Sequence, residues 1–231
     1  LDPDMLFKKY KSRVIKVANP IEGIHTAEFA PDRGKYKYKP GQFLHLAIDP
    51  NYDGVGQWPD SRCFSMQSSP EESTIRVTYA VKGAFTTAMC DYLKPGKIVW
   101  LKMPYGDLFT RVHSKENTVF ISGGTGITPF LSLFTHESFN DYINPKIYLG
   151  FRSKAYDIYQ NEINRLCNSS KYVKTFYQDV DGLIDIQLIL SQNGKNSNYL
   201  VSGPPSMIKS IRYSLIEHGV NLENIITDDW E

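Results

Sequence analysis

The chain has 231 residues, of which 41% are hydrophobic and 22% are charged, so it is long enough for one large globular domain or two smaller ones. Its formal net charge is +1, and this excludes the strong positive field that nucleic-acid or membrane-surface binding requires. No apolar run reaches the length of a membrane span. We therefore expect no nucleic-acid partner and no membrane span.

The three cysteines, Cys63, Cys90 and Cys167, are widely spaced and form no C-x-x-C pair. This spacing predicts no metal site and no iron–sulfur cage. An odd number of isolated cysteines also argues against a disulfide framework and predicts a reducing, cytoplasmic location. Because the first residue is Leu1 rather than methionine, a longer parent protein with attached domains is an open alternative.

The first half of the chain, up to about Pro104, alternates short apolar runs with Gly and Pro breaks. Six such runs predict the strands of an antiparallel barrel or sandwich. One predicted helix, residues 84–93, interrupts them and ends before Pro95 and Gly96. The predicted strands are residues 13–18, 23–29, 42–48, 64–67, 74–81 and 98–103.

After about Arg111 the pattern changes to alternating strands and helices, which predicts a doubly wound parallel sheet. We therefore expect two domains, residues 1–110 and 111–231. The predicted strands of the second domain are residues 118–122, 146–150, 172–177, 199–202 and 225–227. The predicted helices are residues 129–137, 157–167, 184–192 and 206–218.

A predicted strand of the first domain carries side chains suited to a flat ligand that bears phosphate. Arg62 and Phe64 share one face of this strand, while Cys63 and Ser65 share the other. The guanidinium suits a phosphate and the phenyl ring offers a stacking surface. The hydroxyl of Ser65 can donate to or accept from a ring nitrogen. These four residues alone also fit an ordinary strand with one surface arginine and one core phenylalanine.

A predicted phosphate site follows where a strand turns into a helix at Gly83, ahead of Ala84, Phe85 and Thr86. The start of a helix presents unpaired N–H groups and the positive end of the helix dipole, both of which favour an anion. The first domain therefore has one candidate cradle for a phosphate or pyrophosphate.

The second domain has a similar turn, in which Gly123, Gly124 and Gly126 separate a predicted strand from a predicted helix. The spacing is G-x-G-x-x-P rather than G-x-G-x-x-G, so an ordinary strand-to-helix turn remains an alternative for this segment alone. Ser202 and Gly203 end another predicted strand of the same sheet. Ligands of parallel sheets bind beyond the carboxyl ends of the strands, so we expect both turns to line one nucleotide site.

Five segments in this order resemble motifs of the ferredoxin–NADP⁺ reductase superfamily. Arg62-x-Phe64-Ser65 resembles its flavin signature, and residues 83–86 resemble its Gly-x-x-Ser/Thr pyrophosphate turn. The other three similarities are residues 104–109 to Gly-Pro-x-Gly-x-Phe, 123–129 to Gly-Gly-x-Gly-x-x-Pro and 202–207 to Cys-Gly-Pro-x-x-Met. The resemblance implies a flavin-binding antiparallel barrel followed by an α/β domain that binds a nicotinamide nucleotide.

The resemblance also implies roles for individual residues. Arg62 would bind the flavin phosphate, Phe64 would pack on the flavin ring, and Ser65 would hydrogen-bond the reactive ring nitrogen. The pyrophosphate would be held by Gly83, Ala84, Phe85 and Thr86. The binding site for the nicotinamide nucleotide would be lined by Gly124, Thr125, Gly126, Thr128, Gly203 and Pro204. The implied cofactors are FAD rather than FMN, together with NADPH or NADH.

Three further positions follow from the resemblance. Ser202 replaces the family's frequent cysteine beside the nicotinamide, so we expect Ser202 and Ser65 to act in hydride transfer. Arg152 and Ser153 follow the second parallel strand, where they would receive a ribose phosphate and slightly favour NADPH. Trp230 either covers the flavin or packs against the sheet.

The implied activity is that of an FAD-dependent NAD(P)H reductase that passes electrons to a redox protein, such as a ferredoxin, an oxygenase component or a haem protein. Two alternatives stay open. The chain would instead reduce free flavin or ferric chelates, or it would serve as the electron-transfer subunit of a larger complex. A nucleotide-binding regulator without catalysis fits the flavin strand less well.

Overall fold

The computed structural model describes residues 7–168 and 172–228. The chain divides into two compact units: residues up to Asp107 together with Leu131–His136, and Leu108–Phe130 together with the residues from Glu137 onward. No helix in the described ranges is both long and apolar enough to cross a bilayer. The assignment of residues 1–110 to a flavin and 111–231 to a nicotinamide nucleotide stays a prediction.

The first unit is built on a six-stranded antiparallel sheet in the order β4-β3-β6-β1-β2-β5. A helix, α1, lies between β5 and β6 in the sequence and spans Ala84–Tyr92. The strands are β1 (Lys8–Ile21), β2 (Ile24–Pro31), β3 (Phe43–Ala47), β4 (Arg62–Ser65), β5 (Ile75–Ala80) and β6 (Ile98–Tyr105).

This sheet curls into a nearly closed barrel, as predicted. Just beyond β4, the N–H of Gln67 donates to the carbonyl of Arg76 on β5 over 2.8 Å. The N–H of Arg76 donates in turn to the hydroxyl of Ser68 over 3.0 Å. Alternate residues of the strands, such as Leu44 and Leu101, are fully buried inside the barrel. The apolar alternation of the first half therefore encodes the inner surface of this barrel.

The second unit is built on a five-stranded parallel sheet in the order β11-β10-β7-β8-β9. Its strands are β7 (Thr118–Gly123), β8 (Lys146–Phe151), β9 (Tyr172–Tyr177), β10 (Asn198–Ser202) and β11 (Ile225–Thr227). The helices are α2 (Thr128–Phe134), α3 (Gln160–Asn168), α4 (Gln178–Asp181), α5 (Ile186–Asn193) and α6 (Pro205–Glu217). The strand order reverses between β7 and β10, which makes the carboxyl ends of these two strands the natural ligand crevice.

The predicted doubly wound fold is confirmed, with shifts at several element boundaries. Strand β1 is longer than predicted because one long strand pairs with both β2 and β6. Helix α3 begins at Gln160 rather than Asp157, whose carboxylate instead accepts a hydrogen bond from the Gln160 side chain over 2.9 Å. The four-residue helix α4 was not predicted, because it is too short to show a helical apolar period.

Candidate functional site

The side chain of Arg62 lies beside the first turn of α1. Its guanidinium carbon is 5.0 Å from the ring centroid of Phe85. One guanidinium nitrogen donates to a carboxylate oxygen of Asp60 over 2.6 Å and to the carbonyl of Ser61 over 2.7 Å. The structure thus brings the predicted phosphate-binding arginine to the predicted phosphate-binding helix start. Sequence patterns did not identify Asp60 as its partner.

The start of α1 is open to a ligand. The first N–H groups of an α-helix have no backbone partner within the helix, and Gly83 has no side chain that could cap those of α1. The hydroxyl of Thr86 accepts hydrogen bonds from the N–H groups of Lys82 and Gly83, over 3.0 Å and 3.2 Å, and so fixes the turn. A role for this hydroxyl in binding pyrophosphate stays a prediction.

Glycine at position 83 is not required by the fold. Its φ of −168° is extended backbone that any residue adopts. A Cβ atom added there would meet no atom within 4 Å. The bare backbone at Gly83 therefore fits a bound group that approaches closely, and phosphate at a helix start is such a group.

Phe64 and Ser65 are both half-buried on β4. The ring centroid of Phe64 lies 5.9 Å from that of Tyr79 on β5. Burial raises the pKa of the Tyr79 hydroxyl, with a further contribution from Cys90, so this neighbour stays uncharged. In the part of the chain that the structure describes, nothing hydrogen-bonds the hydroxyl of Ser65. That hydroxyl is available to a ligand, in line with its predicted role.

The two glycine turns of the second unit lie against each other at the switch point. Residues Gly124–Ile127 form a 3-10 turn after β7, and Gly124 has a φ of +55° that favours glycine. The hydroxyl of Thr128 braces the turn by donating to the carbonyl of Thr125 over 2.9 Å. A Cβ atom added at Gly126 would lie 2.7 Å from the carbonyl carbon of Ser202 and closer still to the backbone of Gly203.

Met207, on the first turn of α6, fills the space beside these turns. A Cβ atom added at Gly123 would collide with the sulfur of Met207 and lie 3.6 Å from Cδ of Pro204. A Cβ atom added at Gly203 would contact the same methionine. The residues that follow β10 are therefore held tightly against the end of β7.

Ser202 is buried and paired with an acid that the sequence patterns did not identify. Its hydroxyl donates to a carboxylate oxygen of Asp228 over 3.1 Å. Asp228 directly follows β11, and its own N–H donates to the carbonyl of Val201 over 3.0 Å. An acid directly after a strand of the same parallel sheet was the signal available in the sequence. The pairing fixes the orientation of the Ser202 hydroxyl and leaves its oxygen free to accept a hydrogen bond.

Two basic residues follow β8 on the same edge of the sheet. The Arg152 side chain is exposed, and its guanidinium carbon is 5.8 Å from the ring centroid of Tyr156. Ser153 precedes a 3-10 turn at Lys154–Tyr156. Within residues 7–168 and 172–228, no carboxylate forms an ion pair with Arg152 or Lys154. Trp230 lies outside the described residues, so its role stays a prediction.

Comparison with known proteins gives matches over most of the chain. Residues 120–213 match the oxidoreductase NAD-binding domain family. Flavohemoprotein A of Dictyostelium discoideum is 28% identical over 227 residues, which cover 85% of this chain and 54% of the relative. Sulfhydrogenase 1 subunit gamma of Pyrococcus furiosus is 28% identical over 224 residues, covering 83% of this chain and 68% of that protein.

The same fold is found among solved structures. A ferredoxin NADP⁺ reductase from Neisseria gonorrhoeae with bound FAD and NADP superposes with a TM-score of 0.79. The sequence identity is 16%, and the match covers 96% of this chain and 98% of that chain. This likeness establishes the two-part fold. The chain spans only about half the length of the Dictyostelium relative, at 54%.

Substitutions at two glycines should separate a packing role from a ligand role. We expect Gly126→Ala to cost about 1–3 kcal/mol of stability, because its Cβ would overlap the backbone of Gly203. Gly83→Ala should stay within about 0.5 kcal/mol of the parent chain. Urea unfolding midpoints measure both changes, and equal losses for the two variants would contradict this assignment.

Proposed function

We propose that the chain is a member of the ferredoxin–NADP⁺ reductase superfamily and that it is an FAD-dependent NAD(P)H reductase that passes electrons to a redox protein. The observation that carries the proposal is the position of Arg62 beside the start of α1, where Gly83 offers no capping side chain, because phosphate is the group that both features favour. FAD, when bound, would supply the chemistry by taking a hydride from the nicotinamide and releasing electrons to an acceptor.

In the first unit, the chain's own groups would hold and orient FAD. Arg62 and the first N–H groups of α1 together offer donors for two neighbouring phosphates, which favours FAD over the single phosphate of FMN. Phe64 would pack on the flavin ring. The hydroxyl of Ser65 would hydrogen-bond the reactive ring nitrogen, and this agrees with its freedom from other described partners.

In the second unit, the turn at Gly124–Ile127 and the residues after β10 would bind the nicotinamide nucleotide. Crowding at Gly126 and Gly203 places the hydroxyl of Ser202 at the carboxyl end of β10. Asp228 would act as a positioning residue, because it fixes the direction of that hydroxyl. Hydride transfer depends on the orientation of the donor ring, so a small displacement of Ser202 would slow it.

We propose NADPH rather than NADH as the electron donor. An arginine near the end of the second parallel strand accommodates a 2′-phosphate, whereas an acidic residue there binds the free ribose hydroxyl of NADH. Arg152 and Lys154 occupy this place without carboxylate partners among the described residues. The pair of cations therefore supports a phosphate-bearing ribose.

The acceptor proposed here is a protein. The relatives include a flavohemoprotein, whose name implies flavin and haem in one protein. A second candidate role, the electron-transfer subunit of a larger complex, is supported by the similarity to a sulfhydrogenase gamma subunit. Copurification of other subunits with the chain from its source would favour this second role over that of a separate reductase.

The flavin site can be tested at Gly83 without damage to the fold. We expect Gly83→Ala to weaken FAD binding at least about fivefold, because the added methyl group would enter the phosphate cradle. Titration of FAD against the chain, followed by quenching of flavin fluorescence, gives the dissociation constant. An unchanged constant in a variant with an unchanged unfolding midpoint would refute a phosphate at this position.

The hydride-transfer role of Ser202 has its own test. We expect Ser202→Ala to slow the anaerobic reduction of bound FAD by NADPH about tenfold, because the nicotinamide loses one positioning contact. Flavin content should stay the same, since Ser202 lies in the second unit. Stopped-flow absorption measures the rate, and Ser191→Ala, at an exposed serine of α5, is the matched control. Equal rates for both variants would remove Ser202 from the site.

A further inference from the structure

We propose that Asp60 weakens the binding of FAD by competing with the flavin phosphate for Arg62. The inference rests on the proposed function, because it takes Arg62 as a phosphate ligand. It adds an affinity-determining residue that lies outside the flavin motif. A carboxylate in this place would keep the flavin exchangeable.

The ion pair has the geometry of a strong charge-assisted hydrogen bond. The guanidinium nitrogen and the carboxylate oxygen are 2.6 Å apart, at the short end for such contacts. The same nitrogen also donates to the carbonyl of Ser61 over 2.7 Å. One terminal nitrogen of the Arg62 guanidinium is therefore engaged by the chain's own oxygen atoms. Among the described residues, Asp60 has no other cation within ion-pairing distance.

Asp60 sits on a braced turn. The indole N–H of Trp58 donates to the hydroxyl of Ser61 over 2.9 Å, which closes the turn on either side of Asp60. The Trp58 ring also packs edge-on against Tyr52, with centroids 5.6 Å apart. These contacts brace the loop that carries Asp60, and the ion pair with Arg62 brings its carboxylate to the guanidinium beside α1.

The negative charge of Asp60 decides whether this residue weakens or strengthens phosphate binding by Arg62. A carboxylate that merely oriented Arg62 would strengthen phosphate binding, but here the same carboxylate would face the negative charges of a pyrophosphate. Like charges at such short range repel, and the guanidinium must divide its donors between them. The side chains of Arg62 and Asp60 are 54% and 73% exposed, so solvent screening keeps the effect modest. We expect competition of a few-fold in affinity.

The test is the dissociation constant of FAD for Asp60→Asn, measured by flavin fluorescence quenching. We expect binding two- to fivefold tighter than in the parent chain, the range of one exposed ion pair. Asp53→Asn is the matched control, because it removes the same charge from the same loop. The carboxylate of Asp53 accepts a hydrogen bond from the N–H of Val55 over 2.9 Å, which an asparagine oxygen can replace. Unchanged or weaker FAD binding in Asp60→Asn would overturn the inference.

A double-substitution cycle separates this inference from the proposed function. Arg62→Ala alone should weaken FAD binding, and unchanged binding in that variant would refute the flavin site itself. In the Arg62→Ala background, Asp60→Asn should leave the dissociation constant of FAD unchanged, because the guanidinium for which Asp60 competes is absent. The same tightening with and without Arg62 would assign the effect to general repulsion and overturn the competition. Because the inference takes Arg62 as a phosphate ligand, unchanged FAD binding in Arg62→Ala would overturn the inference together with the proposed flavin site.

Discussion

The close approach of Gly126 to the backbone of Gly203 is the constraint on which the nucleotide end of the structure depends. It can form only where two parallel strands, β7 and β10, end side by side and neither turn carries a side chain at the contact. Once formed, it places the hydroxyl of Ser202 at the carboxyl end of β10, where Asp228 from β11 fixes its direction. The backbone contact between the two glycine turns therefore helps to align the side chains of Ser202 and Asp228.

In the first unit, the glycine at position 83 is explained by a different physical reason. Gly83 has ordinary extended backbone and open space around its missing Cβ, so packing does not explain it. What the position shares with Gly126 is a bare backbone next to the start of a helix. In the second unit glycine permits two backbones to meet, and in the first unit we propose that it leaves room for a phosphate. The proposed flavin site depends on this open space at Gly83 together with Arg62.

Much of the fold could be predicted from the sequence, because alternation and turn residues are local signals. Strand β9 runs over the predicted residues 172–177, and α1 begins at the predicted Ala84. The closure of the barrel between Gln67 and Arg76 could not be predicted, since that contact depends on how the whole sheet curls. The length of β1 was missed for the same reason, because its ends are set by two partner strands.

The candidate site was likewise predicted only in part, because the motif residues were predicted and their hydrogen-bond partners were not. Motif residues such as Arg62 and Ser202 were predicted from their type, their spacing and the family resemblance, and their roles stay predictions. Their carboxylate partners, Asp60 and Asp228, lie in a loop and after a short edge strand, where acids are common and carry no periodic signal. Such pairings are fixed by tertiary structure. These contacts occupy donor groups of Arg62 and Ser202.

The most direct test of the account is the visible absorption spectrum of the purified chain supplied with FAD, before and after anaerobic addition of NADPH or NADH. The account predicts that the chain retains FAD as a yellow complex that bleaches with a nicotinamide nucleotide, and at lower concentration with NADPH. A chain that stays colourless after incubation with FAD, or a bound flavin that neither nucleotide bleaches, would contradict it.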